Sequence, residues 1–226
     1  MNPSHPGLLR RALAMIGVGA LILAALFFGS AGTPDYWQAW VFLLVLLTPM
    51  TFVLFYLLRR DPDLLERRLR ARERQTRQQT IVVVATFIIV LAFVIPGLDR
   101  RFGWSHVPLA LVLVADLILL LGYGLFFLVL RENSYAARVV QVEAGQRLVT
   151  TGPYRFVRHP MYVAVAVMYL ASPLALGSAW AVLPALLLPI LIMARIRDEE
   201  RLLADDLPGY RQYQLTTKFR LIPGIW

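Results

Sequence analysis

Long apolar stretches alternate with short polar ones along the whole chain. Crossing a bilayer as a helix takes about 20 mostly apolar residues, and four stretches reach that length: Ala12–Ser30, Trp37–Leu58, Thr80–Leu98 and Val107–Leu130. A last apolar block, Met161–Ala194, is too long for one helix and is interrupted near Pro173 and Gly177, so it predicts a helical hairpin. The pattern therefore predicts an all-α integral membrane protein with about six transmembrane segments. The alternative is five segments, with the hairpin counted as two halves.

The basic residues support this count. If the segments cross the membrane in turn, all of the 23 Lys and Arg residues except Arg100 and Arg101 fall on one side. Cytoplasmic loops of membrane proteins carry an excess of Lys and Arg. We therefore expect a multi-pass protein with both termini in the cytosol. Nearly all of the basic residues are arginine, which favours the cytoplasmic membrane of a bacterium.

Composition excludes several kinds of protein and site. Hydrophobic residues make up 58% of the chain, against about 45–50% in soluble domains. The net charge of +9 lies in short loops between apolar segments, so we expect anionic membrane lipids as partners and no nucleic acid. The chain has no cysteine and three histidines, which excludes disulfides and thiolate catalysis, and no metal site is expected. The oligomeric state is left open.

The segment Arg59–Gln79 is rich in arginine and also carries acidic residues. We interpret it as a solvated helix on the inner membrane surface, held by anionic lipid. A site for a specific partner is the alternative.

Two polar clusters flank the last apolar block. The first runs from Gly152 to Tyr162 and the second from Arg195 to Glu200. A Gly-Pro pair signals a turn, and the proline of the His-Pro pair suits the first turn of a helix. A hairpin brings both clusters to the same membrane surface, so we predict that they form one site. Lipid-phosphate binding by the first cluster and a surface salt-bridge network in the second are the plainer interpretations.

Asp116 lies inside the fourth apolar stretch. An acid within a membrane segment suggests a functional site, and a hydrogen-bonded core carboxyl is the alternative. Gly122 and Gly124 are expected to permit close helix packing.

The region Asn133–Trp226 resembles the isoprenylcysteine carboxyl methyltransferase family, which also includes phospholipid methyltransferase-like bacterial proteins. The resemblance is carried by these motifs: Gln146–Tyr154, Arg158–Tyr162 with its Arg-His-Pro-Met-Tyr sequence, Arg195 followed by Glu200, Tyr210 and Tyr213, and Leu221–Pro223. The segment Ala204–Gly209 departs from the family pattern, which leaves the roles of Tyr210 and Tyr213 open. The first hundred residues contain no matching motif.

The resemblance implies methyl transfer from S-adenosylmethionine to a lipophilic acceptor at the cytosolic membrane face. The carboxylate of a prenylated or lipid-like substrate is the first expectation. The residues implied in cofactor binding are Gly152, Pro153, Tyr154, His159, Pro160, Tyr162, Glu199 and Glu200. The residues implied in catalysis are Arg195, which would face the acceptor, Arg158 and Glu200. Residues 1–130 would then form N-terminal transmembrane helices with the basic loop 59–79, and residues 131–226 a catalytic region with the cofactor turn, the hairpin and a cytosolic tail.

Two other functions compete with this interpretation. The Arg197-Asp198-Glu199 sequence also matches sterol-reductase-like enzymes that use NADPH, although those chains are longer. A non-enzymatic transporter or assembly factor is the other alternative, and Asp116 is its best argument.

Overall fold

The computed structural model describes residues 7–70, 76–136 and 145–226, and over these ranges the chain is helical without strands. The helices are α1 (Leu8–Ala31), α2 (Trp37–Arg60), α3 (Pro62–Arg70), α4 (Thr76–Phe102), α5 (Leu109–Glu132), α6 (Pro160–Ala175), α7 (Val182–Ala185), α8 (Leu188–Asp206) and α9 (Tyr210–Thr216). A short 3-10 helix spans Gly152–Arg155. The all-helical membrane architecture predicted from the hydrophobic pattern is confirmed.

Four helices, α1, α2, α4 and α5, are long and apolar enough to cross a membrane. The first leg of the hairpin is shorter, because α6 has 16 residues and is about 24 Å long, less than the roughly 30 Å of a hydrocarbon core. The return leg consists of α7 and α8. Four full spans and a shorter hairpin are compatible with about six crossings.

The hairpin turns after Pro173. That proline lies inside α6, which ends at Ala175, and the turn comes at Gly177 with φ of +76°. A side chain at Gly177 would also meet the Gln38 amide nitrogen at 3.1 Å. The positive φ therefore favours glycine at this position.

Two core clusters mark the two ends of the bundle. One contains Leu8, Leu57 and Val129 and packs against Tyr154; we call this the site end. The other contains Phe27, Phe93 and Ala175 and marks the opposite end. Consecutive long helices therefore run antiparallel, and both clusters draw on residues from either side of residue 130. The proposed functional division at residue 130 stays a prediction.

At the opposite end, a buried carboxylate ties the hairpin turn to α4. Asp99 accepts hydrogen bonds from the Ser105 amide at 2.7 Å, the Ser105 hydroxyl at 2.6 Å and the Ser178 hydroxyl at 2.5 Å. The Tyr36 hydroxyl donates to the Leu176 carbonyl at 2.5 Å. These bonds hold the start of the return leg, and so contribute to placing the polar residues of α8 at the site end.

The basic segment after α2 is packed more closely than predicted. Leu64 of α3 is fully buried, and the guanidinium groups of Arg67 and Arg68 donate to the Ser134 and Ala136 carbonyls at 2.8 and 2.6 Å. The predicted helix is therefore present in this segment, but it is only partly solvated, because Leu64 and Leu65 on its apolar face join the core. Residues 71–75 of the predicted segment lie outside the described residues.

Glycines permit close helix packing at two places. A Cβ at Gly122 would lie 2.6 Å from the Met168 side chain, as predicted, but Gly124 has open space around it, so that half of the prediction is wrong. Gly97 of α4 has the tightest surroundings, since a Cβ there would lie 1.8 Å from the Ser30 hydroxyl and 2.7 Å from the Phe27 carbonyl oxygen.

We expect Gly97→Ala to destabilise the protein by about 1–3 kcal/mol, because helix α1 must move away to relieve the overlap. The measurement is thermal unfolding in detergent. The matched control is Gly124→Ala, also a helical glycine, which should unfold at or slightly above the wild-type temperature because alanine favours helix. Equal unfolding temperatures for the two variants would contradict this packing.

Candidate functional site

A cavity of about 330 Å³ lies at the site end of the bundle, within the range typical of small-molecule sites. We call it the main cavity. Its polar lining consists of Arg68, Asn133, Tyr135, Gln146, Arg147, Tyr154, Arg158, His159, Tyr162, Arg195, Glu199, Tyr210 and Tyr213. Apolar side chains complete the wall: Val82, Phe126, Ala136, Leu148, Val149, Pro160, Met161, Val165, Leu202, Leu203 and Leu207. The cavity thus has a charged and aromatic part beside an apolar part.

A chain of hydrogen bonds joins α6 and α8 on the cavity wall. Arg195 Nε donates to the Tyr162 hydroxyl at 2.8 Å, and this hydroxyl donates to Glu199 Oε2 at 2.7 Å. Arg195 and Glu199 lie one turn apart on α8, so they share a face. Tyr162 thereby holds a guanidinium and a carboxylate side by side where a ligand can reach both.

Glu200 lies in a different environment from its neighbour. It is 5% exposed and does not line the main cavity. Arg158 Nε approaches its Oε1 at 2.6 Å, His159 Nε2 lies 3.3 Å from the same oxygen, and Arg220 Nε approaches Oε2 at 2.7 Å. Burial by itself would raise the pKa of Glu200, but the hydrogen bonds from His159, Arg158 and Arg220 outweigh it and hold the pKa at about 2. The side chain is therefore a fully paired carboxylate.

The C-terminal tail is attached to this cluster through backbone hydrogen bonds. The amides of Arg158 and His159 donate to the carbonyls of Phe219 and Arg220 at 2.9 and 3.0 Å. Arg158 Nη1 also donates to the carbonyls of Thr217 and Lys218 at 2.7 and 2.9 Å. Arg158 thus connects the hairpin, Glu200 and the tail.

The turn before α6 presents one side to the main cavity. Tyr154 lines the cavity; its hydroxyl accepts a hydrogen bond from the Asn133 amide at 2.8 Å, and its carbonyl accepts one from the Tyr213 hydroxyl at 2.5 Å. Gly152 and Pro153 lie outside the cavity lining. Gly152 has φ of +57° and lies close to Glu132, where a Cβ would come within 2.9 Å of the carboxyl carbon.

The structure brings most of the predicted site residues together. Those that line the main cavity are Tyr154, Arg158, His159, Pro160, Tyr162, Arg195 and Glu199. Glu200 lies behind the cavity wall, and Gly152 and Pro153 lie on the far side of the turn. The catalytic and cofactor-binding roles of all ten residues stay predictions.

Sequence reasoning missed several residues of the cavity. Arg68 comes from α3, and its guanidinium lies 5.1 Å from the centre of the Phe126 ring. No motif marks it, because it is far from the other site residues in the chain. Asn133 could have been found, since it lies three residues after the fourth apolar stretch and opens the region of family resemblance.

Tyr210 is a further cavity residue whose role the sequence left open. It is buried, and its hydroxyl has no hydrogen-bond partner among the described residues. Burial, together with the nearby carboxylates of Glu200 and Glu199, raises the pKa of Tyr210 well above its ordinary value. Its neutral hydroxyl is therefore available to a ligand, and a buried hydroxyl of this kind normally finds a partner.

Asp116 takes no part in this site. It is 6% exposed, and over the described part of the chain neither carboxyl oxygen has a hydrogen-bond partner. The interpretation of Asp116 as a hydrogen-bonded core carboxyl is therefore wrong within the described part of the chain. In the same ranges no group of three or more His, Cys, Asp or Glu side chains is placed to hold a metal ion.

Residues 110–207 match the model of the phospholipid methyltransferase family. This region contains α5, the turn, α6 and α8, and so supplies most of the cavity wall. The resemblance noted in the sequence is confirmed where the two regions overlap, over residues 133–207. The chain is also similar to the cobalt-zinc-cadmium resistance protein CzcN of Cupriavidus metallidurans, with 33% identity over 138 residues. That match covers 60% of this chain and 58% of the relative.

Proposed function

We propose that this chain, whose residues 110–207 match the model of the phospholipid methyltransferase family, transfers a methyl group from S-adenosylmethionine to a lipophilic anion at the membrane surface. The observation that carries the proposal is the main cavity, in which charged and aromatic side chains adjoin an apolar wall at the ends of membrane helices. A polar cofactor and a membrane-embedded acceptor need such a meeting place.

The lining fits the cofactor chemically. S-adenosylmethionine supplies an electrophilic methyl group on a sulfonium, together with an ammonium and a carboxylate. The rings of Tyr154, Tyr210 and Tyr213 offer faces that attract a cation. Glu199 is a carboxylate that accepts hydrogen bonds from an ammonium, and the unpartnered Tyr210 hydroxyl offers a further contact.

The charges of the cavity favour an anionic acceptor. Arg68, Arg147 and Arg195 line it, whereas Glu199 is the one carboxylate among the described lining residues. A carboxylate acceptor is attracted by this excess of positive charge and needs no general base before it attacks. An ammonium acceptor would be repelled and would first have to lose a proton.

The contribution of the enzyme is then mainly positioning. Arg195, fixed by Tyr162 at 2.8 Å, would hold the acceptor carboxylate, and the wall of Val82, Phe126 and Val165 would receive its apolar part. Correct alignment of two reactants can lower a barrier by roughly 7–11 kcal/mol. We assign the site and both termini to the cytosolic face of a bacterial cytoplasmic membrane, because the basic segments gather at the site end.

Ligand binding and methyl transfer test this function. We expect purified protein in mild detergent to bind S-adenosylmethionine saturably and to methylate an N-acetylated, S-prenylated cysteine, giving a base-labile methyl ester. The same molecule with its carboxylate converted to an amide is the matched control acceptor and should gain no methyl group. Binding of NADPH without S-adenosylmethionine would instead indicate a reductase, and methylation of phosphatidylethanolamine alone would refute the anionic acceptor.

A further inference from the structure

A second cavity, of about 560 Å³, lies on the other side of the Gly152–Arg155 turn, and Pro160 is the one lining residue that it shares with the main cavity. We call it the lateral groove. Its walls are largely apolar and include Leu125 and Leu128 of α5, Val163 of α6 and Leu221 of the tail. Phe156 also lines it and is 65% exposed. An apolar surface at this position is better suited to contact with a lipid acyl chain than with water.

The polar end of the lateral groove carries two arginines. Arg131 lies six residues after Leu125 on α5, about 9 Å further along the helix axis, and Arg155 belongs to the turn. The guanidinium of Arg155 lies 5.8 Å from the centre of the Phe156 ring, and neither arginine forms an ion pair among the described residues. The carboxylate of Glu132 also lines the groove but accepts a hydrogen bond from the Thr151 hydroxyl.

We propose that the lateral groove binds one anionic phospholipid. Its phosphate lies between Arg131 and Arg155, and one acyl chain follows Leu128, Leu125 and Val163 towards the middle of the bundle. Guanidinium groups bind phosphate oxygens through paired hydrogen bonds, and basic pockets beside transmembrane helices suit anionic head groups. The order of groups in the groove, from charged to apolar with increasing depth, matches that of a phospholipid.

The position of the lateral groove gives a bound lipid a structural effect on the main cavity. Pro153 of the groove directly precedes Tyr154, which lines the main cavity, and Leu221 directly follows Arg220, which pairs with Glu200. An anionic lipid therefore holds the turn and the tail together from outside. This inference does not depend on methyl transfer, because it concerns a different set of side chains.

The test compares lipid retention between two double variants, without S-adenosylmethionine. Protein in detergent is mixed with phosphatidylglycerol or phosphatidylcholine, bound lipid is counted by native mass spectrometry, and thermal unfolding is followed in parallel. R131Q/R155Q removes the two arginines of the groove. R59Q/R60Q is the matched control, because it removes two exposed arginines from the end of α2 at the same end of the bundle, outside the groove.

We expect wild type and R59Q/R60Q to retain one phosphatidylglycerol and to unfold at higher temperature with it than with phosphatidylcholine. R131Q/R155Q should bind phosphatidylglycerol at least tenfold more weakly and lose the thermal shift, while unfolding like wild type in phosphatidylcholine. If both double variants lost phosphatidylglycerol binding equally, the lipid would be attracted by the overall positive charge of this surface, and the proposal would be overturned. An equal thermal shift with inorganic phosphate alone would overturn the assignment to a lipid.

Discussion

Replacing Glu199 by glutamine should weaken the binding of S-adenosylmethionine about 10- to 100-fold and leave thermal unfolding unchanged. Glutamine keeps an oxygen that can accept the hydrogen bond from Tyr162, so the wall between α6 and α8 stays in place. The variant loses only the negative charge that faces the cavity. Hydrogen bonds to charged groups contribute about 1.5–3 kcal/mol, which corresponds to this range of affinity.

Asp198→Asn is the matched control for this prediction. Asp198 directly precedes Glu199 on α8, but it does not line the main cavity and accepts a hydrogen bond from the Gln78 amide at 3.1 Å. Isothermal titration should therefore show near-normal affinity for Asp198→Asn and weakened binding for Glu199→Gln. If Glu199→Gln binds the cofactor as tightly as wild type, the cofactor ammonium does not lie beside Glu199.

Replacing Glu200 by alanine should instead destabilise the protein. We expect it to lower the free energy of unfolding by about 3–5 kcal/mol. The substitution leaves the buried guanidinium of Arg158 without its carboxylate and releases Arg220, and breaking one partner out of a buried ion pair has a cost of this size. Cofactor binding would fall as a consequence of the weakened site. Thermal unfolding measures the loss of stability, and limited proteolysis after Phe219 measures the release of the tail. If Glu200→Ala unfolds and is cleaved like the wild-type protein, Glu200 does not have this structural role.

Acid should reproduce part of this loss in the wild-type protein. The pKa of Glu200 is lowered from 4.5 to about 2, so its contribution to stability is complete above pH 4.5 and is lost as the pH falls from 4.5 through 2. The amount is about 3 kcal/mol. Glu200→Gln should lack this part of the pH dependence, and identical acid-unfolding profiles of the two proteins would contradict the prediction.

The adjacent glutamates Glu199 and Glu200 thus lie in different environments, which the sequence alone could not distinguish. Both were predicted to bind the cofactor, because they follow the same apolar segment and belong to the same motif. Neighbouring residues on a helix point about 100° apart, so Glu199 can reach the main cavity while Glu200 is directed into the packed tail. Only the rotation of α8 against α6 decides which of the two meets a ligand.

The sequence by itself determined the membrane helices, the hairpin and the meeting of the two polar clusters. These features follow from the lengths of apolar runs, the breaking residues near Gly177 and the distribution of arginine, all of which are local properties of the chain. The tertiary structure alone decided that Arg68 of α3 joins the cavity, that Gly152 and Pro153 turn away from it, and that the tail pairs with Arg158. Those contacts join residues far apart in sequence, and they depend on how helices rotate and pack, which hydrophobicity and motif spacing do not encode.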